Sequence, residues 1–185
     1  MQTKENRRTQ MTKLLLRTAL IELMQEKAIG QITIRELCEK ADLNRTTFYL
    51  HYTDQQALLK DIERDVLEKT AEYMKNIHTD RRTVRLVTSF LEYVRKNDLT
   101  FRTLLCRDDS EHFRLAFVKE LRAIMGGDLP EYGDEQKTRY VLSFLMFGCL
   151  YVVIEWMQNG YPETPQQIAE MLFYLTDSVD PVHLA

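Results

Sequence analysis

Apolar residues recur at helical spacing along almost the whole chain, and this pattern predicts an all-α protein. The chain has only six glycines and four prolines. Alternating runs of β-branched residues between turn residues do not occur in it, which favours helices over strands. About nine helices are expected, over residues 9–28, 33–41, 44–52, 54–77, 81–96, 100–105, 110–125, 140–154 and 165–175, with breaks at 76–80 and 126–130.

Capping signals mark several of the helix starts. Thr33 followed three residues later by Glu36 is a capping box, in which each side chain satisfies a backbone amide of the other residue. Ile32 and Leu37 flank the box as a hydrophobic staple. Similar signals start later helices at Asn44, at Thr53 with Gln56, and at Thr164 with Pro165 and Gln167.

Residues 33–52 predict a helix-turn-helix unit. A helix ending near Ala41 and a short helix capped by Asn44 are joined by a tight turn, and the second helix of such a unit can enter the major groove of DNA. Leu43 and Phe48 are expected in the core. The spacing alone also fits an ordinary polar surface helix. The side chains left to face outward are donors and acceptors for base edges and phosphates: Arg45, Thr46, Thr47, Tyr49 and His51.

Specific residues within positions 8–60 carry a family resemblance. They are Thr33-Ile34-Arg35-Glu36-Leu37-Cys38, Ala41, Leu43, Thr47-Phe48-Tyr49, His51-Tyr52 and Ala57-Leu58-Leu59. Together they resemble the DNA-binding signature of the TetR family of bacterial transcriptional regulators.

The resemblance implies a three-helix DNA-binding domain, here expected over residues 1–53, and a helical effector-binding and dimerisation domain over residues 54–185. Because a two-fold dimer presents two recognition helices, the expected partner is a palindromic double-stranded DNA operator, bound by a homodimer that acts as a repressor. The candidate DNA contacts by this resemblance are Thr33, Arg35, Asn44, Arg45, Thr46, Thr47, Tyr49 and His51.

Two positions depart from the family pattern. Asp42 stands where the family usually has a glycine, although aspartate tolerates left-handed turn geometry better than most residues. Gln55 stands where the family usually has a lysine that contacts phosphate. Its loss predicts a weaker phosphate clamp at the start of the helix after the helix-turn-helix unit.

Charge is distributed unevenly along the 185 residues. The formal net charge is −3, but residues 1–52 carry nine lysines and arginines against six acidic residues. This asymmetry suits an N-terminal unit that faces a polyanion. A flexible basic arm would touch DNA beside the helix-turn-helix unit, or would simply be a solvated tail. The cations of this arm are Lys4, Arg7, Arg8, Lys13 and Arg17.

The N-terminal sequence and the cysteines favour a cytoplasmic protein. Arg17 and Glu22 interrupt the apolar stretch that a signal peptide would need. The three cysteines, Cys38, Cys106 and Cys149, are widely spaced, so we expect reduced and mostly buried thiols. Neither a metal site nor a cofactor is expected.

Residues 140–154 form the most apolar run, without a charge. A membrane span needs about 20 such residues, so a buried helix is the preferred interpretation and no membrane partner is expected. A helix that is apolar on all sides needs a cover on all sides, which favours a dimer interface with the last helix. The alternative to this dimer interface is that the helix, including Gly148, packs only within its own domain. The expected interface residues are Phe144, Gly148, Tyr151, Val152, Met171 and Tyr174.

The effector is the least determined part of the prediction. Candidate residues for an apolar pocket are Phe90, Tyr93, Phe113, Phe117, Met146 and Tyr151, although such residues are more often plain core. The effector is a small molecule or a protein coactivator. The sequence carries none of the common catalytic motifs, so an enzyme is not expected. The alternative function is a helical protein-interaction module that has lost operator binding, as Gln55 suggests.

Overall fold

The computed structural model describes residues 4–75, 84–125 and 134–177. Within these ranges the chain forms nine α-helices, two short 3-10 turns and no strand, which confirms the all-α prediction. The expected breaks at 76–80 and 126–130 lie outside the described residues. The helices are α1 (Lys4–Leu23), α2 (Ile34–Lys40), α3 (Arg45–Tyr49), α4 (Gln55–Lys75), α5 (Val84–Lys96), α6 (Asp98–Leu105), α7 (Glu111–Met125), α8 (Glu135–Gln158) and α9 (Pro165–Asp177).

Local capping decides where several helices begin. At α2 the Thr33 hydroxyl accepts the Glu36 N–H at 3.2 Å, and the Glu36 carboxylate accepts the Thr33 N–H at 2.9 Å, which confirms the capping box. The reciprocal bonds between Thr164 and Gln167, 3.2 and 2.8 Å long, confirm the predicted start of α9. In each case the orphan amides of the first turn are satisfied.

Several predicted helix limits and one predicted cap were wrong. α8 extends over Glu135–Gln158, beyond the predicted 140–154, and α1 begins at Lys4 instead of residue 9. α4 is capped by Asp54, which accepts the Ala57 N–H at 2.7 Å, and not by Thr53. The aspartate also places a negative charge at the positive end of the helix dipole. α1 ends at Leu23, well before the predicted end near Ala28. The fully buried stripe ends at Met24, and a 3-10 turn over Ile29–Gln31 then leads the chain toward α2.

The chain divides into two compact units, Met1–Val66 and Leu67–Ala185. The division falls within α4, whereas the sequence placed the domain boundary after residue 53. In the first unit α2 packs against α1 and α3. Its fully buried side chains come from every helix and from the connection before α2: Leu16, Leu20, Ile32, Leu37, Phe48 and Leu58.

In the second unit α5 packs along α9, while α6, α7 and α8 pack on one another. Its core is built from aliphatic and aromatic residues of all these helices, among them Leu91, Val94, Phe101, Leu105, Phe117 and Met157. The packing leaves one side of α8 and α9 uncovered in the single chain.

A tight turn joins α8 to α9. Gly160 and Tyr161 both have positive φ angles, of 77° and 62°. The indole N–H of Trp156 donates to the Glu163 carbonyl at 3.0 Å, and its ring meets the Tyr161 ring edge to face at 4.7 Å. The Tyr161 hydroxyl donates to Asp98 at the start of α6. These contacts fix the turn against the unit's core despite the strained backbone of Tyr161.

Candidate nucleic-acid interface

The short helix α3 presents one face to solvent and buries the other. Phe48 is fully buried, whereas Arg45, Thr46 and Tyr49 are exposed, Tyr49 to 59%. Arg45 and Tyr49 lie one turn apart and therefore share a face of the helix. The Tyr49 ring stands edge to face against Phe48 at 5.5 Å, so a core residue holds it in place. This face offers a guanidinium, a hydroxyl and a phenol within one helical turn.

Three of the predicted DNA contacts have structural duties. The Asn44 amide oxygen accepts the Thr47 N–H at 2.7 Å and the Thr47 hydroxyl at 2.9 Å. Thr33 is likewise engaged with Glu36 in the capping box of α2. These residues set where the helices start. Asn44 still has its NH₂ group for a phosphate or base edge, because the cap uses only its oxygen.

The other two predicted contacts, Arg35 and His51, differ in their exposure to solvent. Arg35 is exposed, and its guanidinium donates to Glu39 at 2.7 Å on the surface of α2. An exposed ion pair of this kind is weak, so a phosphate can replace the carboxylate. His51 is half-buried, and its ring lies 6.4 Å from the Tyr52 ring. It lies just beyond the last residue of α3.

An ion-pair network holds the helix-turn-helix unit on its neighbours. The Tyr52 hydroxyl donates to Asp61 of α4 at 2.7 Å, and Arg17 of α1 donates to the same carboxylate at 2.9 Å. Arg17 also pairs with Asp65 at 2.9 Å. The Lys13 ammonium lies 5.6 Å from the centre of the Tyr52 ring. We call these residues, Lys13, Arg17, Tyr52, Asp61 and Asp65, the anchor network.

The anchor network changes the interpretation of the N-terminal cations. The expected flexible arm is helical from Lys4 onward, as part of α1. Arg17 is occupied by two carboxylates and only 25% of its side chain is exposed, so it is not a phosphate-binding arm residue. Arg7 and Arg8 remain exposed on the first turns of α1. Sequence spacing could not reveal the partners of Arg17, because they lie more than forty residues away.

Titration behaviour follows from these contacts. Burial opposes ionisation of Asp61, but hydrogen bonds from Tyr52 and Arg17 outweigh it and lower the pKa of the carboxyl group. Burial, with the hydrogen bond to Asp61, raises the pKa of Tyr52 to about 12. Hydrogen bonds from Lys27 and Thr33 lower the pKa of Glu36 to about 2. Asp61 and Glu36 therefore stay ionised at neutral pH, while Tyr52 keeps its proton.

The two departures from the family pattern flank α3 in the sequence. Asp42, in the turn between α2 and α3, is exposed and has a φ of 52°. It thus adopts the left-handed geometry that glycine would adopt without strain. Gln55 is the first residue of α4 and is half-buried. It supplies no charge at a helix start where the family usually places a cation.

In the second unit an apolar stripe runs along α8 and α9. Tyr140, Phe144 and Tyr151 are exposed to 64%, 74% and 55%, and Gly148 lies between the last two on the same side of α8. The exposed residues of α9 include Met171 at 42% and Tyr174 at 72%. Of the predicted dimer contacts only Val152 is half-buried. We call this surface the α8/α9 face.

The predicted effector residues do not all lie together. Phe113 and Phe117 are buried, and Phe117 stacks on Phe90 with ring centres 6.4 Å apart. Tyr93, which contacts Phe90 at 6.5 Å, belongs to the same aromatic cluster. Met146 is half-buried. Tyr151, by contrast, lies on the α8/α9 face, where the Arg114 guanidinium approaches its ring at 6.0 Å.

The three cysteines are free thiols. Cys38 is buried as predicted, and burial raises its pKa despite the nearby charge of Arg45. Cys106 and Cys149 are half-buried, and burial raises the pKa of each. All three are therefore less reactive than an exposed thiol.

Comparison with known proteins places these features in a family. Residues 16–62 match the profile of bacterial regulatory proteins of the tetR family, and residues 85–178 match that of a transcriptional regulator C-terminal region. The chain is 29% identical over 85 residues to the uncharacterized HTH-type transcriptional regulator YxbF of Bacillus subtilis. That match covers 41% of this chain and only 22% of the length of the relative.

Two solved structures share the fold. A TetR transcriptional regulator from Streptococcus agalactiae superposes with a TM-score of 0.72, at 21% identity, over 93% of this chain and 97% of that one. The regulator FadR from Bacillus subtilis, solved with stearoyl-CoA, superposes with a TM-score of 0.62, at 18% identity, over 88% and 96%. The two profile matches identify the chain as a member of the TetR family of transcriptional regulators.

Proposed function

We propose that this protein is a cytoplasmic, sequence-specific repressor that binds a palindromic DNA operator as a homodimer. The observation that carries the proposal is the exposed face of α3. Arg45, Thr46 and Tyr49 point to solvent from a helix that Asn44 caps and Phe48 ties to the core. A preorganised helix with donors on one side matches what major-groove readout requires.

Support for the homodimer comes from the α8/α9 face. By length and composition alone α8 is apolar enough to cross a membrane. Only 33% of its most apolar 18-residue window is buried, so most of this apolar surface is open in a single chain. The aromatic stripe around Phe144 is open in one chain, and packing it against the same stripe of a second chain removes it from water. Such a dimer carries two α3 helices to two half-sites.

Regulation is proposed to enter through the second unit. FadR of Bacillus subtilis was solved with stearoyl-CoA, which shows that a protein of this fold can hold an acyl ligand. In this chain the apolar candidate for an effector site is the aromatic cluster of Phe90, Tyr93, Phe113 and Phe117. An effector, whether a small molecule or a protein, would act by binding the DNA-competent and DNA-free states with different affinities.

Selection of bound duplexes from a random pool at moderate salt tests the proposal. We expect an enriched inverted repeat whose half-sites are about one helical turn, or a multiple of it, apart. Arg45→Ala and Tyr49→Ala should each weaken binding to the selected duplex by about 10- to 100-fold. Arg85→Ala, at an exposed arginine of α5, is the matched control and should not change the affinity.

Two other results would count against the proposal. Enrichment of a sequence without a repeat would argue against dimeric recognition. Binding that is sequence-independent and disappears with salt, or no binding at all, would favour the protein-interaction module that Gln55 suggested. In that case Arg45→Ala and Tyr49→Ala would leave the residual affinity at low salt unchanged.

A further inference from the structure

Leu50 is an apolar side chain in an unexpected place. It follows the last residue of α3 and is 76% exposed, more than any other large apolar side chain that the structure describes. Sequence reasoning did not place it among the outward-facing residues. A single exposed leucine needs no function by itself. The reason to assign a function to Leu50 is its position beside the candidate DNA contacts.

The backbone places Leu50 on the proposed recognition face. Its N–H donates to the Thr46 carbonyl at 3.2 Å, so the helical turn continues through residue 50. Leu50 therefore lies one turn after Thr46, and it directly follows Tyr49. Its neighbours Phe48 and Tyr52 are buried, to 0% and 7% exposure, and face the core. Leu50 points away from them, on the side of α3 that carries the exposed polar residues.

The chemistry of the groove limits what Leu50 can contact. Phosphates and most base edges offer charges, donors or acceptors, for which an isobutyl group has no affinity. The exception in the major groove is the C5-methyl group of thymine. We propose that Leu50 packs on a thymine methyl in each half-site and so adds a base preference that the polar residues of α3 do not supply. This inference rests on the proposed function.

Uracil for thymine substitution tests it, because the two bases differ only by that methyl group. A set of duplexes is made from the selected sequence. In each duplex one thymine position is changed to uracil, together with the symmetric position in the other half-site. Burying one methyl corresponds to about four-fold in affinity, so the pair of changes should weaken wild-type binding by about 15-fold at one position. Leu50→Ala should bind the thymine and uracil duplexes equally at that position.

Controls separate this inference from the proposed function. Leu50→Met retains an apolar contact and should keep most of the thymine preference, whereas Leu115→Ala, at an exposed leucine of α7, should behave as wild type. An enriched inverted repeat would support the proposed function. The inference about Leu50 would still be wrong if wild type tolerated uracil at every position, or if Leu50→Ala still preferred thymine at the same position. If no sequence is enriched, both fail.

Discussion

Replacing Asp61 by asparagine should loosen the DNA-binding unit without touching its recognition face. Asp61 accepts hydrogen bonds from Tyr52 at 2.7 Å and from Arg17 at 2.9 Å, and 11% of its side chain is exposed. The asparagine side chain has the same shape but no charge, and its NH₂ group can only donate where the second carboxylate oxygen accepts from Arg64. The change therefore removes the charge at the centre of the anchor network.

The expected cost follows from these contacts. Hydrogen bonds to a charged group contribute about 1.5–3 kcal/mol each, and breaking a fully buried ion pair costs about 3–5 kcal/mol. Arg17 keeps its second partner, Asp65, at 2.9 Å and is 25% exposed, which lowers the cost. We therefore expect Asp61→Asn to reduce the stability of the first unit by about 2–3 kcal/mol.

Hydrogen exchange measured by mass spectrometry reports this loss locally. Amides in peptides from the middle of α1 and the first half of α4 should exchange about 30- to 150-fold faster in the variant. Tyr52→Phe removes one donor and should give a smaller increase, and the double variant should be less than additive. Tyr49→Phe is the matched control, because the Tyr49 ring is 59% exposed and lies outside the network.

The pH dependence gives a second readout with a defined sign. Because the pKa of Asp61 is lowered in the folded protein, its contribution is complete above its ordinary value of 3.8 and is lost as the pH falls through the folded pKa. The difference between wild type and Asp61→Asn should be largest near neutral pH and shrink below about pH 4. Unchanged exchange in α1 and α4 at neutral pH would refute the argument.

Three further predictions concern other parts of the chain. Asn44→Ala should destabilise the start of α3 by about 1 kcal/mol, seen as roughly five-fold faster exchange of its amides, whereas Asn44→Asp should retain the cap. Phe144→Asp should dissociate the proposed dimer in sedimentation experiments, since it removes from each subunit a ring whose burial contributes about 3 kcal/mol and puts a charge in its place; Leu99→Asp, on α6, should stay dimeric. Gln55→Lys should tighten binding to any duplex and, with one new phosphate contact from each subunit, steepen the plot of log affinity against log salt by about 1.8; an unchanged slope would show that this side chain does not reach phosphate.

Local chemistry made much of the fold predictable. Thr33 with Glu36, Asn44, and Thr164 with Gln167 each cap the helix that the sequence assigned to them, because a cap involves residues only three positions apart. The wrong assignment of Thr53 as the cap of α4 shows the limit of this local signal. Thr53 and Asp54 are both good caps, and spacing alone does not distinguish between neighbours.

Contacts between distant positions were not predictable. Arg17 looked like a free cation of a basic arm because its partners, Asp61 and Asp65, are on another helix.

The exposure of Leu50 was missed for a different reason, because apolar residues are assumed to face the core. Its spacing from Phe48 could have shown the opposite, since residues two apart on a helix lie on nearly opposite sides.

Trp156 gives the protein a built-in optical probe. It is the only tryptophan in the chain, it is 2% exposed, and its indole N–H is bound to the Glu163 carbonyl. Fluorescence excited selectively at this indole therefore originates in the second unit, beside the turn that links the two helices of the α8/α9 face. A change in its emission on adding a compound would register events in that unit without any label, while DNA binding can be followed in the same sample through a dye on the duplex.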